Sequence, residues 1–158
     1  MKVKTIQLPG ITLPQLLTTP IYSGSHFTWG EATHNGERIP TDTEFSGNLI
    51  PAAQITSNII KVARKLDEIR EIFGNTPIII TSWYRDPESN HDVGGVRNSQ
   101  HLLGWAADFQ VHGRDPNDIA ARLSQTWAGG LGDSDVFTHV DLRQLMGWSS
   151  ARWDYGFA

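Results

Sequence analysis

The residues of this chain with the clearest chemical potential are His101, Asp108 and His139, whose imidazole and carboxylate groups are common metal ligands. A catalytic zinc ion takes three such protein ligands and keeps one position open for water. Two histidines and one carboxylate suit zinc better than calcium or magnesium, which prefer shells made of oxygen alone. Taken singly, each residue is more typical of a solvated or hydrogen-bonded position on a strand. The metal site is therefore a hypothesis that requires the three side chains to meet.

Two stretches of alternating sequence can carry Asp108 and His139 on the polar faces of strands. From residue 105 to 111, apolar side chains alternate with small or polar ones, which predicts a strand with Asp108 on its polar face. From residue 137 to 143 the alternation returns and places His139 and Asp141 on one face. We therefore expect the two strands to present a carboxylate and an imidazole to the same region.

Helices and a further strand are predicted around these two strands. Residues 51–73 carry apolar side chains at steps of four and three, the stripe of a helix with one buried face. The β-branched run at 78–82 predicts a buried strand, and the polar, glycine-containing stretch 83–100 predicts a long loop. Asp115 is expected to cap a second helix that runs to about Trp127.

These elements predict an α+β fold in which helices flank a small antiparallel sheet, within a single domain over residues 1–158. Residues 49–158 are expected to form its core, whereas residues 1–48 are rich in Thr, Pro and Gly and predict an irregular N-terminal wrap.

The chain has no cysteine, which excludes thiolate metal sites and a cysteine nucleophile. Its formal net charge of -4 argues against binding to nucleic acid. No stretch approaches the roughly 18 apolar residues of a membrane span.

The sequence around His101 resembles a known family. Residues 99–108 read SQHLLGWAAD and match the SxHxxGxAxD signature of the zinc D-alanyl-D-alanine peptidases, which share a fold with the hedgehog signalling domain. The later THVD at 138–141 is similar to the second motif of that family. SWYR at 82–85 resembles its SxYR segment, and HFTWGE at 26–31 resembles an N-terminal element of bacterial and phage members. The resemblance spans nearly the whole chain.

This resemblance implies one zinc ion held by His101, Asp108 and His139, and a small antiparallel sheet flanked by helices. It also implies cleavage of peptide bonds in peptidoglycan stem or cross-link peptides. Zinc in such a site lowers the pKa of a coordinated water and polarises the scissile carbonyl. A nucleophilic triad of Ser, His and Asp is disfavoured, because the metal uses the same histidine and carboxylate.

A zinc peptidase of this type also needs a general base. In the best-known family members the base is an acidic residue three positions before the last histidine, where this chain has Val136. Asp135, four positions before His139, is the preferred candidate. Asp133, six positions before it, is the alternative, with a separation used by an acidic residue in the hedgehog branch. Both also suit an ordinary acidic turn.

Four more side chains are expected near the metal. Asp141 would orient His139 through a hydrogen bond or, alternatively, act on the water. Arg85, through the SxYR resemblance, would polarise the scissile carbonyl or hold a substrate carboxylate, with a surface salt bridge as the alternative. Ser99 would bond loop backbone or support the site, and Trp153 would line the cleft.

Two classes of function follow. The leading hypothesis is a zinc metallopeptidase, either a D,D-carboxypeptidase or an endopeptidase. The alternative, favoured by the departure at Val136, is a non-catalytic zinc-binding module that recognises a cell-wall peptide or a protein. The expected partner is a peptidoglycan peptide, and we expect a monomer without membrane insertion.

The opening residues lack the apolar core of a secretion signal. Three locations are therefore expected as alternatives: the cell wall after lysis, the cell wall after export by another route, and the cell interior, where the substrates would be muropeptides.

Overall fold

The structure is a computed structural model that describes residues 4–155; residues 1–3 and 156–158 of the predicted domain lie outside the described part. The strands are β1 (Thr5–Ile6), β2 (Gln15–Leu16), β3 (Thr43–Phe45), β4 (Asn48–Ile50), β5 (Ile78–Ser82), β6 (Ala106–Val111), β7 (Gly130–Asp133), β8 (Thr138–Asp141) and β9 (Ala151–Asp154). The helices are α1 (Trp29–Ala32), α2 (Ala52–Ile72), α3 (Pro87–Asp92) and α4 (Pro116–Ser124), with 3-10 helices at Gln100–Leu103 and Arg143–Met146. Within residues 4–155, no helix has the length and apolar character needed to cross a membrane.

The central sheet has five strands in the order β5, β6, β8, β7, β9. The pairs β5 with β6, β6 with β8, and β7 with β8 are antiparallel. The α+β class is confirmed, but the sheet is not antiparallel throughout, because β9 runs parallel to β7. The chain reverses after β8, and both edges of β8 are already occupied by β6 and β7. The returning strand therefore pairs with the free outer edge of β7.

The helix predicted over residues 51–73 is confirmed as α2. Its apolar stripe is buried, with Ile55, Ile59 and Leu66 each fully shielded from solvent, and joins the same apolar cluster as the core side chains of the sheet. Asn58 lies on this buried face and donates its Nδ2 to the Leu103 carbonyl at 2.9 Å. This bond ties α2 to the 3-10 helix that carries the first candidate metal ligand.

The N-terminal segment is more ordered than an irregular wrap. It contains the antiparallel pair β1 and β2, the short helix α1, and a hairpin of β3 and β4. Thr28 and Glu31 cap α1 reciprocally, because each side chain accepts a hydrogen bond from the backbone of the other. Phe27 and Trp29 are 1% exposed and belong to the main apolar cluster. At the end of α1, the Ala32 carbonyl accepts the Tyr84 N–H at 3.3 Å, which anchors the segment beside β5.

Two local expectations need correction. The stretch 83–100, predicted as a loop, contains α3, which Asp86 caps by accepting the Ser89 N–H at 2.7 Å. The helix capped by Asp115 is confirmed as α4, but it ends at Ser124 rather than near Trp127. For α3, the Asp86 cap satisfies backbone N–H groups that a short helix leaves unpaired.

Candidate metal centre

Three side chains from two strands and a 3-10 helix converge on one point. Asp108 on β6 and His139 on β8 are directly paired in the sheet register, and His101 lies in the 3-10 helix that precedes β6. The Asp108 Oδ1 atom is 2.8 Å from His139 Nδ1 and 3.2 Å from His101 Nε2. One ligand atom from each residue lies within 4.8 Å of the others, and all three residues are buried.

The turn before β6 sets the position of His101. Ser99 begins the 3-10 helix and its Oγ accepts the His101 N–H at 3.2 Å. Gly104 ends the helix in the left-handed region with a φ of +70°, and a Cβ there would lie 2.8 Å from the Ile59 side chain. The serine and the glycine of the sequence motif are therefore needed to form this turn and to pack it against α2.

The ring nitrogen of each histidine that faces away from the centre forms a hydrogen bond to a protein oxygen. His101 Nδ1 donates to the Trp83 carbonyl at 2.6 Å, and His139 Nε2 donates to Asp141 Oδ2 at 2.9 Å. When the rings are neutral, these acceptors fix the tautomers, so that His101 Nε2 and His139 Nδ1 point their lone pairs toward the common centre. Hydrogen-bonded histidines of this kind are typical of protein metal sites.

Asp141 is itself held in place by several donors. Arg143 donates from Nε to Oδ1 at 2.9 Å and from Nη2 to Oδ2 at 2.8 Å, and the Gly130 N–H donates to Oδ1 at 2.9 Å. The Asp141 side chain has no solvent exposure. Each oxygen of this carboxylate thus accepts at least two hydrogen bonds, one of which comes from His139.

The electrostatics of the centre favour a cation. Burial alone would raise the pKa of Asp108, but the charges and hydrogen bonds of His101 and His139 hold it far below its ordinary value. Burial also opposes a charge on His139, yet hydrogen bonds to Asp108 and Asp141 outweigh that effect and raise its pKa. For His101, burial dominates and lowers the pKa, which keeps this ring neutral and able to bind a metal.

The three ligands fit zinc. Tetrahedral zinc with bonds of about 2.0 to 2.2 Å places its ligand atoms roughly 3.3 to 3.6 Å apart. The separations from Asp108 Oδ1 to the two histidine nitrogens, 2.8 and 3.2 Å, are shorter than these values, so an ion would require the three side chains to move slightly apart. Two imidazoles, one carboxylate and an open side toward solvent match the donor set of a catalytic zinc site.

The centre lies in an open cleft of about 830 Å³. Besides the three candidate ligands, its lining includes Arg38, Ser82, Arg85, Val93, Val96, Ser99, Gln100, Phe137, Asp141, Arg143, Trp148, Trp153 and Tyr155. Arginines and aromatic rings thus surround the centre. A cleft of this size and composition accommodates a peptide rather than a bare ion.

Arg85 and Trp153, both expected near the metal, flank the centre. Arg85 Nη2 lies 3.3 Å from Asp108 Oδ2, and Arg85 Nε donates to Ser82 Oγ at 3.0 Å. The Trp153 ring packs on His139 with 5.0 Å between ring centroids. Arg85 therefore restrains the carboxylate that would bind the metal, while Trp153 restrains one imidazole and lines the cleft.

The structure does not bring the two candidate bases, Asp133 and Asp135, into the cleft. Asp133 pairs with Thr138 in the register, one position away from the pair formed by Gly132 and His139. Successive side chains on a strand point to opposite faces, so Asp133 points away from the centre. Asp135 is exposed beyond the end of β7, and its Oδ1 accepts Asn117 Nδ2 of α4 at 3.0 Å. Spacing alone misplaced both residues, because it does not fix the register or the bend after β7.

Sequence reasoning missed several residues that shape the cleft. A Cβ on Gly130 would lie 2.3 Å from Asp141 Oδ2, and a Cβ on Gly132 would lie 2.7 Å from Trp153 Nε1. These glycines leave the space that Asp141 and Trp153 occupy. A strand with glycine at alternate positions is a recognisable signal, since glycine in a strand often marks the close approach of another group. Tyr155, one residue beyond β9, also lines the cleft.

Comparison with known proteins identifies a family and a relative to which this chain is similar. A family model described as Peptidase M15 matches residues 35–141, more than half of the chain. Over 68 residues the chain is 34% identical to a protein of Streptomyces albus G named zinc D-Ala-D-Ala carboxypeptidase. That match covers 43% of this chain and 27% of the relative, so the chain is similar to about a quarter of the relative's length.

Proposed function

Since the chain belongs to the peptidase M15 family, we propose that it is a zinc metallopeptidase that hydrolyses peptide bonds in peptidoglycan stem or cross-link peptides. One observation carries the proposal: His101, Asp108 and His139 offer ligand atoms within 4.8 Å of one another in the cleft. The substrate class is supported by the name of the Streptomyces relative, which specifies D-Ala-D-Ala. The SxHxxGxAxD match at residues 99–108, which lies within the region matched by the family model, agrees with this substrate class.

His101, Asp108 and His139 would hold one zinc ion, which supplies Lewis-acid activation of the peptide carbonyl and of the attacking water. The protein contributes orientation. Trp83 and Asp141 fix the two rings from behind.

Two cleft side chains are suited to bind the substrate carbonyl. Arg85 is positioned by Ser82 and Asp108 beside the candidate ligands, where its guanidinium can stabilise negative charge that develops on the carbonyl oxygen. Burial and the charge of Asp108 raise the pKa of Tyr155 to about 12, so this phenol stays protonated at neutral pH. The Tyr155 hydroxyl therefore lies in the cleft in its protonated form.

A second candidate function, a zinc-binding module without hydrolysis, is favoured by one specific observation. The carboxylates that line the cleft within residues 4–155 are Asp108 and Asp141, and both are already engaged by histidines and arginines. Neither is free to accept a proton from water. A module of this kind would recognise the same peptides and leave them intact.

The test combines metal analysis with product analysis. Purified wild-type protein is assayed for zinc, and peptidoglycan peptides are incubated with it and followed by mass spectrometry. His101→Ala removes one ligand, and His112→Ala is the matched control because His112 is an exposed histidine outside the cleft. We expect one zinc per chain in the wild type and in His112→Ala, and loss of zinc and of hydrolysis in His101→Ala.

The products distinguish the remaining possibilities. Release of free D-alanine would identify a carboxypeptidase, and conversion of cross-linked dimers to monomers would identify an endopeptidase. Bound zinc with intact peptides would support the binding module. Absence of zinc from the wild type after incubation with zinc would overturn both candidate functions.

A further inference from the structure

One of the three arginines that line the cleft, Arg38, has no acidic partner within residues 4–155. Among the described residues that line it, the arginines are Arg38, Arg85 and Arg143. Arg85 contacts Asp108, and Arg143 holds Asp141 through two hydrogen bonds. The side chain of Arg38 has no hydrogen-bond or ion-pair partner within residues 4–155, although it is partly buried. A guanidinium in this situation has five unused donors in a planar fork that matches a carboxylate.

The backbone holds Arg38 at the cleft. The Arg38 N–H donates to the Thr33 carbonyl at 2.8 Å, and Thr33 Oγ1 bonds back to the Trp29 carbonyl of α1 at 2.7 Å. Between them, His34 and Asn35 adopt left-handed φ angles of 51° and 57°. Such angles are uncommon outside glycine and are kept where the surrounding structure requires them. The turn that carries Arg38 is therefore defined in advance of any ligand.

The same segment is anchored beside the metal centre. The Ala32 carbonyl accepts the N–H of Tyr84, the residue before Arg85, at 3.3 Å. Arg38 lies near enough to Arg85 that, after burial, its positive charge is among the influences that lower the pKa of Arg85. Two like charges near each other at the cleft are unfavourable in isolation, and an anionic ligand relieves that repulsion.

We propose that Arg38 is a specificity-determining residue that binds a carboxylate of the substrate peptide beside the metal centre. This inference rests on the proposed function for its choice of ligand. Two sources share the chemistry: the free carboxyl terminus of a stem peptide, and the side-chain carboxylate of an acidic residue within the peptide. The first source suits an exopeptidase, whereas the second suits an endopeptidase.

The experiment measures peptide binding to the metal-free protein by calorimetry and KM with the zinc-loaded protein. Three acetylated peptides serve as probes: one ends in D-Ala-D-Ala with a free carboxylate, the second is its C-terminal amide, and the third is an amide with one internal acidic residue. The variants are Arg38→Gln and Arg38→Lys. Arg122→Gln is the matched control, since Arg122 is exposed on α4 and outside the cleft.

For the peptide with the recognised carboxylate, we expect Arg38→Gln to raise Kd and KM about 10- to 100-fold, the usual effect of losing hydrogen bonds to a charged group. Arg38→Lys should give a smaller loss because it keeps the charge without the fork. Zinc content and melting temperature should not change. Arg122→Gln should match the wild type on all three peptides.

The pattern of losses identifies the source of the carboxylate. A loss confined to the peptide with the free terminus assigns the terminal carboxylate, and a loss confined to the acidic amide assigns the side chain. Equal binding of all three peptides by wild type and Arg38→Gln, or no binding of any peptide by the wild type, would overturn the inference. Binding that depends on Arg38 without hydrolysis would retain it and refute the peptidase. Hydrolysis that does not depend on Arg38 would support the peptidase and refute the proposed role of Arg38.

Discussion

Two carboxylates of this protein, Asp67 and Asp108, each lie among hydrogen-bonding groups but differ in what they do. Asp67 joins two parts of the fold, whereas Asp108 is a candidate metal ligand. Asp67 on α2 accepts from Tyr22 Oη at 2.5 Å, from Ser25 Oγ at 2.7 Å and from the backbone N–H of His26 at 3.0 Å. We call these residues the Asp67 cluster. They link the N-terminal segment to the longest helix. The groups around Asp67 are two hydroxyls, one backbone amide and the single imidazole of His26, whose Nδ1 lies 3.1 Å from Asp67 Oδ1.

Asp108 differs from Asp67 in the number of imidazoles that contact it. Its nearest neighbours are two imidazoles whose other nitrogens are already bonded to Trp83 and Asp141. When these rings are neutral, they turn lone pairs rather than protons toward Asp108, and a metal ion can bind all three. The comparison shows that a buried carboxylate becomes a candidate ligand through the tautomers its neighbours are forced to adopt. Its own burial and low pKa do not make that distinction, since the pKa of Asp67 is also lowered.

Among the variants that test the difference between Asp67 and Asp108, Asp108→Asn is expected to have the largest effect on zinc binding and hydrolysis. An amide at this position removes the anionic ligand, so zinc binding and hydrolysis should fall by more than the 10- to 100-fold typical of residues that only support a metal ligand. Zinc titration with a competing chelator measures the affinity. Retention of wild-type zinc affinity would show that Asp108 is, like Asp67, only a structural carboxylate.

Asp141→Asn should have the next largest effect. It weakens the orientation of His139 without removing a ligand, and we expect a 10- to 100-fold loss of zinc affinity or activity. Asp118→Asn, an exposed carboxylate in the first turn of α4, provides the control. If Asp141→Asn instead abolished hydrolysis with full zinc affinity, Asp141 would act on the water rather than on the ring.

Asp67→Asn should affect stability and leave zinc affinity unchanged. The hydrogen bonds from Tyr22, Ser25 and His26 outweigh burial and lower the pKa of Asp67. The ionised form therefore stabilises the fold above the ordinary aspartate pKa of about 3.9, and this contribution is lost as the pH falls through the lower folded value. We expect a loss of about 2 kcal/mol in unfolding free energy at pH 7.

Urea denaturation of metal-free wild type and Asp67→Asn at pH 7 and at pH 3 measures this difference. It should be smaller at pH 3, below the ordinary aspartate pKa, because the unfolded chain there binds a proton that the folded carboxylate takes up less readily. An equal difference at both pH values would mean that the charge of Asp67 does not contribute. A large drop in zinc affinity in Asp67→Asn would mean that the Asp67 cluster is coupled to the candidate metal ligands.

The smallest effects are expected from Asp133→Asn and Asp135→Asn. Because Asp133 points to the opposite face from His139 and Asp135 bonds to α4, hydrolysis by both variants should stay within about twofold of the wild type. Steady-state kinetics on one peptide substrate is sufficient. A 100-fold loss with zinc retained in either variant would show that the residue reaches the cleft and serves as the base.

Much of the framework around the site was predictable from the sequence. The periodicity of residues 51–73 predicted α2, and alternation predicted that Asp108 and His139 lie on polar strand faces, because these patterns report local geometry. The motif at residues 99–108 carried the ligand prediction through its resemblance. The parallel edge strand β9, α3 within the expected loop, and the order of the N-terminal segment were not predicted, because they depend on packing partners far away in the chain.

By itself, the sequence determined which side chains can bind a metal and the elements that carry them, since residue type and periodicity are local properties. Only the tertiary structure decided which carboxylates reach the centre. The register of β7 against β8 turns Asp133 away from His139, and the acceptors behind the two rings select their tautomers. The position of Arg38 at the cleft was decided in the same way, by the bond between Ala32 and Tyr84 that joins two segments distant in sequence. Spacing along a chain does not specify a register or a long-range contact, because both arise from the burial of apolar faces shared among several elements.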